Sequence, residues 1–201
     1  MDVFEAISTR VSVRRFKPDP IPRGVVERIL EAGVRAPTAG GGQQWFFIVV
    51  EDPSVRRGLR ELLIKAHMRY AESVVREGIP EDVKERWFKA MLEGREYDAP
   101  LYVAAYVDLR RRQYRDEYLE LERLWAVQSL AAAIENMILA AWGEGVGSVW
   151  LGVPLLMREE FDKLLNPPEG CELQAVIAFG YPERVPKPRP RKPLSEVVRW
   201  V

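Results

Sequence analysis

Residues 35–50 read RAPTAGGGQQWFFIVV, and the fold turns on how they are parsed. Ala36-Pro37 ends the helix before it, because proline disfavours the helical region for its predecessor. Trp45–Val50 is apolar throughout and rich in β-branched and aromatic side chains, the composition of a central strand buried on both faces. Between them stand Gly40, Gly41 and Gly42. Three ordered glycines in a row cost conformational entropy, so something is expected to come close to this backbone; the alternative is a plain connecting turn.

The pattern extends both ways from that stretch. Upstream, Asp2 with Glu5 three residues on predicts a helix start, with Phe4, Ile7 and Val3 turned inward and an end near Thr9. RVSVRRF (10–16) alternates and predicts an extended segment. KPDPIP (17–22) is a turn, and Pro22 opens a helix with Val25, Val26, Ile29, Leu30 and Gly33 at helical spacing. Downstream, Asp52-Pro53 starts a helix to about Ser73, and Pro80 starts another. Ala99–Asp108 reads as a strand. A charged segment then leads into a helix over about Leu124–Trp142, apolar nearly all round and so expected to be buried. A strand in 143–154, a helix over 158–166 and a strand over 173–182 follow, before a proline-rich tail. Strands alternating with helices give an α+β class, an α/β three-layer arrangement with a mixed central sheet of four to five strands flanked by helices. With 201 residues, 47% of them apolar, the chain fits one domain, 1–201.

Thirty basic residues balance thirty acidic ones, which argues against a general nucleic-acid-binding face. No apolar run is read as a membrane span and no signal pattern opens the chain, so a cytoplasmic location is expected. Cys171 and His67 are each the sole residue of their type. That excludes an intramolecular disulfide, and any triad or histidine-based metal site would have to use His67, which reads as a surface or packed residue of a helix. Hydrolase, P-loop and zinc-protease motifs are absent from the sequence. Arg10-x-Ser12-x-Arg14 puts two guanidinium groups and a hydroxyl on one face of an extended segment, a set suited to phosphate; an ion-paired edge strand is the other reading. Arg189-x-Arg191 repeats the spacing in the proline-stiffened tail, where a solvated basic segment is the alternative. The tail has too few contacts to be ordered alone, and its apolar end points to another surface, such as a second subunit.

Four pieces in order resemble the nitroreductase family of FMN-dependent oxidoreductases: AISTRVSVRRFKPDPIP (6–22), ILEAGVRAPTAGGGQQWFFIVVED (29–52), AIENMILAAWGEGVGSVWLG (133–152) and FGYPERVPKPRPRKPLSEVV (179–198). The resemblance covers nearly the whole chain. It implies a nitroreductase-like fold and a homodimer, with the C-terminal tail exchanged and FMN bound at the interface. By the same resemblance Arg10, Ser12 and Arg14 hold the FMN phosphate and reach toward the ring, and Arg189 and Arg191 join them from the tail. Pro37, Thr38 and Ala39 touch the isoalloxazine from the partner subunit, Gln43 matches the loop's glutamine, and Trp150, Leu151 and Gly152 face the flavin edge. No side chain is assigned to catalysis, because the hydride chemistry belongs to the cofactor. The implied reaction is ping-pong transfer from NADH or NADPH to a small acceptor, a nitroaromatic or a quinone. Alternatives are another FMN reaction on the same fold (dehalogenation, oxidative dehydrogenation, flavin fragmentation) or flavin binding without turnover. Two positions depart from the family pattern: Gly41 replaces an Asn and Gln44 replaces a Pro. Lys65 and Arg69 are candidates for a further cofactor contact.

Overall fold

The computed structural model describes residues 1–75 and 78–201. Its centre is a four-stranded sheet of β1 (Trp45–Val50), β2 (Leu101–Asp108), β3 (Gly147–Leu151) and β4 (Cys171–Gly180), in the order β1-β2-β4-β3. All three strand pairs are antiparallel. The expected mixed character survives only as an isolated parallel bridge between Ser12 and Ser148.

Side-chain alternation along β2 builds the layers. Tyr102, Ala104 and Tyr106 enter one core with Leu59, Leu63 and Phe161, from α3 (Pro53–Ser73) and α6 (Arg158–Leu165); Met91 of α4 (Glu81–Glu93) joins them. Leu101, Val103, Ala105 and Val107 enter the other with Val26 and Ile29 of α2 (Arg23–Val34) and Leu130, Ile134 and Met137 of α5 (Leu119–Gly143). Helices thus cover both faces of an antiparallel sheet, the three-layer α+β arrangement expected from the sequence.

β1 is an edge strand, not the central one. The apolar run misled because both its faces do meet a core: Phe46 and Ile48 pack into one, Trp45, Phe47 and Val49 into the other. Only Val50 is fully buried, since among the described residues the strand pairs with β2 alone. Burial from Leu101 to Val107 belongs to β2, whose neighbours are strands on both sides.

Two further expectations need correcting. In α1 (Val3–Thr9) only Ala6 is buried, while Val3, Phe4 and Ile7 face out, because the helix touches α5 along one narrow side. The long helix starts at Leu119, several residues earlier than its apolar pattern, and takes in the buried Glu122. Together with the preceding turn this helix is long and apolar enough to cross a membrane by length and composition alone, properties it shares with buried core helices. Less than half of its most apolar window is buried, packed on α2 and the sheet. The tail after Tyr181-Pro182 is exposed throughout and carries one short helix, α7 (Leu194–Val197).

Candidate functional site

The extended segment 10–16 is pinned before it can present anything. Val11, Val13 and Phe16 are buried. The Val13 amide donates to the Ser148 carbonyl at 2.8 Å, and the Arg14 carbonyl accepts from the Tyr97 amide at 2.8 Å. Gly147 permits this approach, since a Cβ there would lie 2.7 Å from Val13 Cγ2. With the odd-numbered valines anchored inward, Arg10, Ser12 and Arg14 share the opposite face.

That face and the tail enclose a cleft of about 670 Å³, lined by Arg10, Ser12, Arg14, Lys187, Arg189 and Arg191 among others. The two arginine pairs, distant in sequence, therefore meet. Glu135 of α5 is the acidic member of the lining and sits 3.6 Å from Arg10 Nε. Several cations against one carboxylate leave an excess of positive charge, with planar donors suited to a phosphate dianion.

A second cleft of about 540 Å³ also contains Arg14 and Arg189, so it adjoins the first. Its floor is the strand end Val149–Val153, where Trp150, Leu151 and Gly152 lie. Its other side is aromatic: His67, Tyr70, Trp87 and Tyr97. His67 stacks on Tyr97 at 4.6 Å between centroids and meets Trp87 edge-on. Burial pushes the His67 pKa down, and nearby Arg14 pushes the same way against the Leu63 carbonyl. Burial likewise pushes the Tyr97 hydroxyl up, opposed by Arg14. Cationic groups beside a cleft lined by aromatic side chains suit a phosphorylated aromatic ring.

Lys65 and Arg69 take no part in this cleft. Lys65 is outside its lining, and Arg69 donates to the Leu156 carbonyl at 2.8 Å. The same helix contributes His67 and Tyr70 instead, which reading from the sequence missed. Their i, i+3 spacing on α3 was the available signal.

Pro37, Thr38, Ala39 and Gln43 are not brought to the arginine cleft. The loop precedes β1, at the opposite sheet edge from β3. Pro37, Thr38 and Ala39 line neither cleft, and the Ala39 amide donates to Ser129 Oγ at 3.2 Å. Gln43 is exposed at positive φ and lines a separate polar hollow with Gly42, Gln44, Asp108, Arg110 and Arg111. The glycines have an answer within the chain: a Cβ on Gly40 would lie 2.6 Å from the Tyr114 hydroxyl, and one on Gly42 2.9 Å from Gln113 Oε1. Gly41 differs, with φ of 71° and nothing within 4 Å of a would-be Cβ.

Gln44 explains how that arm is seated. Its Nε2 donates to Glu122 Oε1 at 2.9 Å inside the protein, where Glu122 also accepts from the Gln113 amide at 2.7 Å and from Arg112 Nε at 3.3 Å. Burial opposes the Glu122 charge, but these donors outweigh it and hold the carboxyl below its ordinary range.

The chain matches the family model described as "Nitroreductase family" over residues 7–181. It is 30% identical to a protein named NADH dehydrogenase from Thermus thermophilus, across 100% of this chain and 96% of that protein. It is 26% identical to an iodotyrosine deiodinase from Thermotoga neapolitana, across 98% of this chain and 95% of the other. Among solved structures it resembles a BluB-like flavoprotein from Clostridium difficile 630, with a TM-score of 0.79 at 23% identity, covering 100% and 99% of the two chains. The match runs through the arginine segment, the glycine loop and the Trp150 strand end, and the chain belongs to the nitroreductase family.

Proposed function

We propose that this chain is an FMN-dependent oxidoreductase that takes electrons from NADH or NADPH and delivers them to a small acceptor, a nitroaromatic or quinone. The observation that carries the reading is the convergence of Arg10, Ser12 and Arg14 with Arg189 and Arg191 on one cleft. The donor set fits the cofactor: guanidinium groups and a hydroxyl for the phosphate, and an adjoining aromatic-walled slot for a flat ring. When bound, FMN supplies the two-electron chemistry that this chain's side chains lack, in a ping-pong cycle with the nicotinamide and the acceptor taking turns.

The chain's own residues bind, orient and bias. Arg10, Ser12, Arg14, Arg189 and Arg191 would hold the phosphate. Trp150, Leu151 and Gly152 would flank the ring edge, where the neighbouring Arg14 charge favours an anionic reduced ring. Pro37, Thr38, Ala39 and Gln43 would reach the ring from the partner of a homodimer, which accounts for their place at the far sheet edge. Reductive dehalogenation is the second reading, favoured by the full-length similarity to a deiodinase.

Arg14→Ala and Arg191→Ala test the assignment. Each removes a charge-assisted bond worth about 1.5–3 kcal/mol, so FMN affinity by fluorescence quenching should fall about tenfold or more, with unchanged circular dichroism. Wild-type affinity in both variants would refute the site. Purified protein that binds FMN but is not bleached by NADH or NADPH under anaerobic conditions would refute the reaction.

A further inference from the structure

The chain's only histidine lies in the second cleft, and the orientation of its ring is fixed. Nδ1 is 2.7 Å from the Leu63 carbonyl oxygen. A carbonyl only accepts, so Nδ1 carries the proton, and Nε2 of the neutral ring is left with a lone pair. Stacking on Tyr97 and the edge contact with Trp87 prevent the ring from turning away. The residue is 5% exposed. Among the described residues Nε2 has no hydrogen-bond partner, yet it is not sealed: the one buried, unpaired side-chain atom is Arg56 Nε. The imidazole edge therefore opens onto the cleft it lines with Trp150 and Gly152.

The groups facing that cleft around it are Arg14, Arg189, Glu96, Tyr70 and Tyr97. Both arginines are donors and neither is bonded to Nε2. A phosphate offers only acceptors and is served by the arginines next door. An acceptor atom fixed beside this aromatic-lined cleft calls for a different ligand group, one that donates from the plane of a ring.

We propose that His67 is a ligand-binding residue, whose Nε2 accepts a hydrogen bond from a donor on the aromatic ring bound in this cleft. The imide N3–H of oxidised FMN is such a donor, and a phenolic O–H on an acceptor is the other source. The proposal rests on the flavin reading above. It adds a polar contact on the aromatic side of the cleft, where the arginines have no counterpart. Burial and Arg14 keep the ring neutral near pH 7, which preserves the lone pair.

Because His67 is unique in the sequence, the imidazole nitrogen signals of uniformly ¹⁵N-labelled full-length protein report on it alone. Addition of FMN should move the Nε2 signal upfield and leave Nδ1 in place, whereas FMN methylated at N3 should not move Nε2. If the donor is the acceptor's, Nε2 moves only when p-nitrophenol is added to the FMN-loaded protein. His67→Phe keeps a ring against Tyr97 and removes the lone pair. It should weaken FMN affinity, or raise the KM for the phenol in the second case, about tenfold; His67→Gln should recover part of the loss. An Nε2 signal unmoved by FMN and by p-nitrophenol, in protein that quenches FMN fluorescence, overturns the role of His67 and leaves the flavin reading standing. Absence of FMN quenching in the wild type overturns both.

Discussion

Gly41 and Gly147 are indistinguishable as letters and opposite in their surroundings. Gly147 lets segment 10–16 lie against β3, and a Cβ there would meet Val13 at 2.7 and 2.9 Å and Pro182 at 3.0 Å. Gly147→Ala overpacks the contact behind the arginine-lined cleft and should cost about 1–3 kcal/mol, read as a lower urea midpoint, with FMN affinity falling alongside if the proposed site is right. Gly41 holds a left-handed backbone in open space, and asparagine tolerates that conformation. Gly41→Asn should therefore leave the unfolding free energy from urea titration within about 1 kcal/mol of wild type while changing the KM for the acceptor. A fall in stability matching that of Gly147→Ala would show that the loop is not free at this point. The sequence marks where backbone must pass closely or turn left-handed, but not against what. The crowding at Gly40 and Gly42 comes from Tyr114 and Gln113, more than seventy positions downstream, and nothing in the local pattern announces it.

At the scale of elements, apolar periodicity identified the helices and strands but not the order of the sheet. β1 and β2 are both continuous apolar runs, and only the pairing on both edges of β2 separates them. The first turn of α5 was missed for a related reason: its charges looked like linker, although Glu122 is among the most buried residues of the helix. That carboxylate ties three elements together, the turn before β1 through Gln44, the arm 109–118 through Gln113 and Arg112, and α5 itself. Gln44, whose amide is the side-chain donor from the turn before β1, makes the network possible. Glu122→Gln puts a second donor against Arg112 and should cost about 1–3 kcal/mol, with faster tryptic cleavage in the arginine-rich arm. The pH dependence has a definite sign. Because the folded carboxyl ionises below its ordinary value of 4.5, its contribution is complete above that pH and disappears as pH falls through the lower folded value. The stability gap between wild type and Glu122→Gln should therefore close on acidification, and a gap that stays constant from pH 7 down to acid unfolding would exclude an ionised Glu122.

For the whole molecule, the chain leaves uncovered the surfaces that a partner would bury. Phe4 and Ile7 of α1, Trp150 beside the cleft, and Leu194, Val197 and Trp200 of the tail are all exposed, Trp200 at 91%. Apolar exposure on this scale marks an interaction surface. The tail carries Arg189 and Arg191 into the cleft and then runs on with its apolar residues unpaired. The glycine loop stands at the other sheet edge, away from the arginines. The proposed homodimer, with each tail lying on its neighbour and each loop facing the neighbour's cleft, would resolve all three features at once and would make cofactor binding depend on association. Sedimentation should accordingly give a dimer. Removing residues 194–201 keeps Arg189 and Arg191 but takes away the apolar end of the tail. It should shift the protein toward monomer at micromolar concentration and lower FMN retention in parallel, with retention recovering as protein concentration is raised. A truncated chain that sediments as a monomer and still holds FMN at wild-type affinity would show that one chain is sufficient for the site.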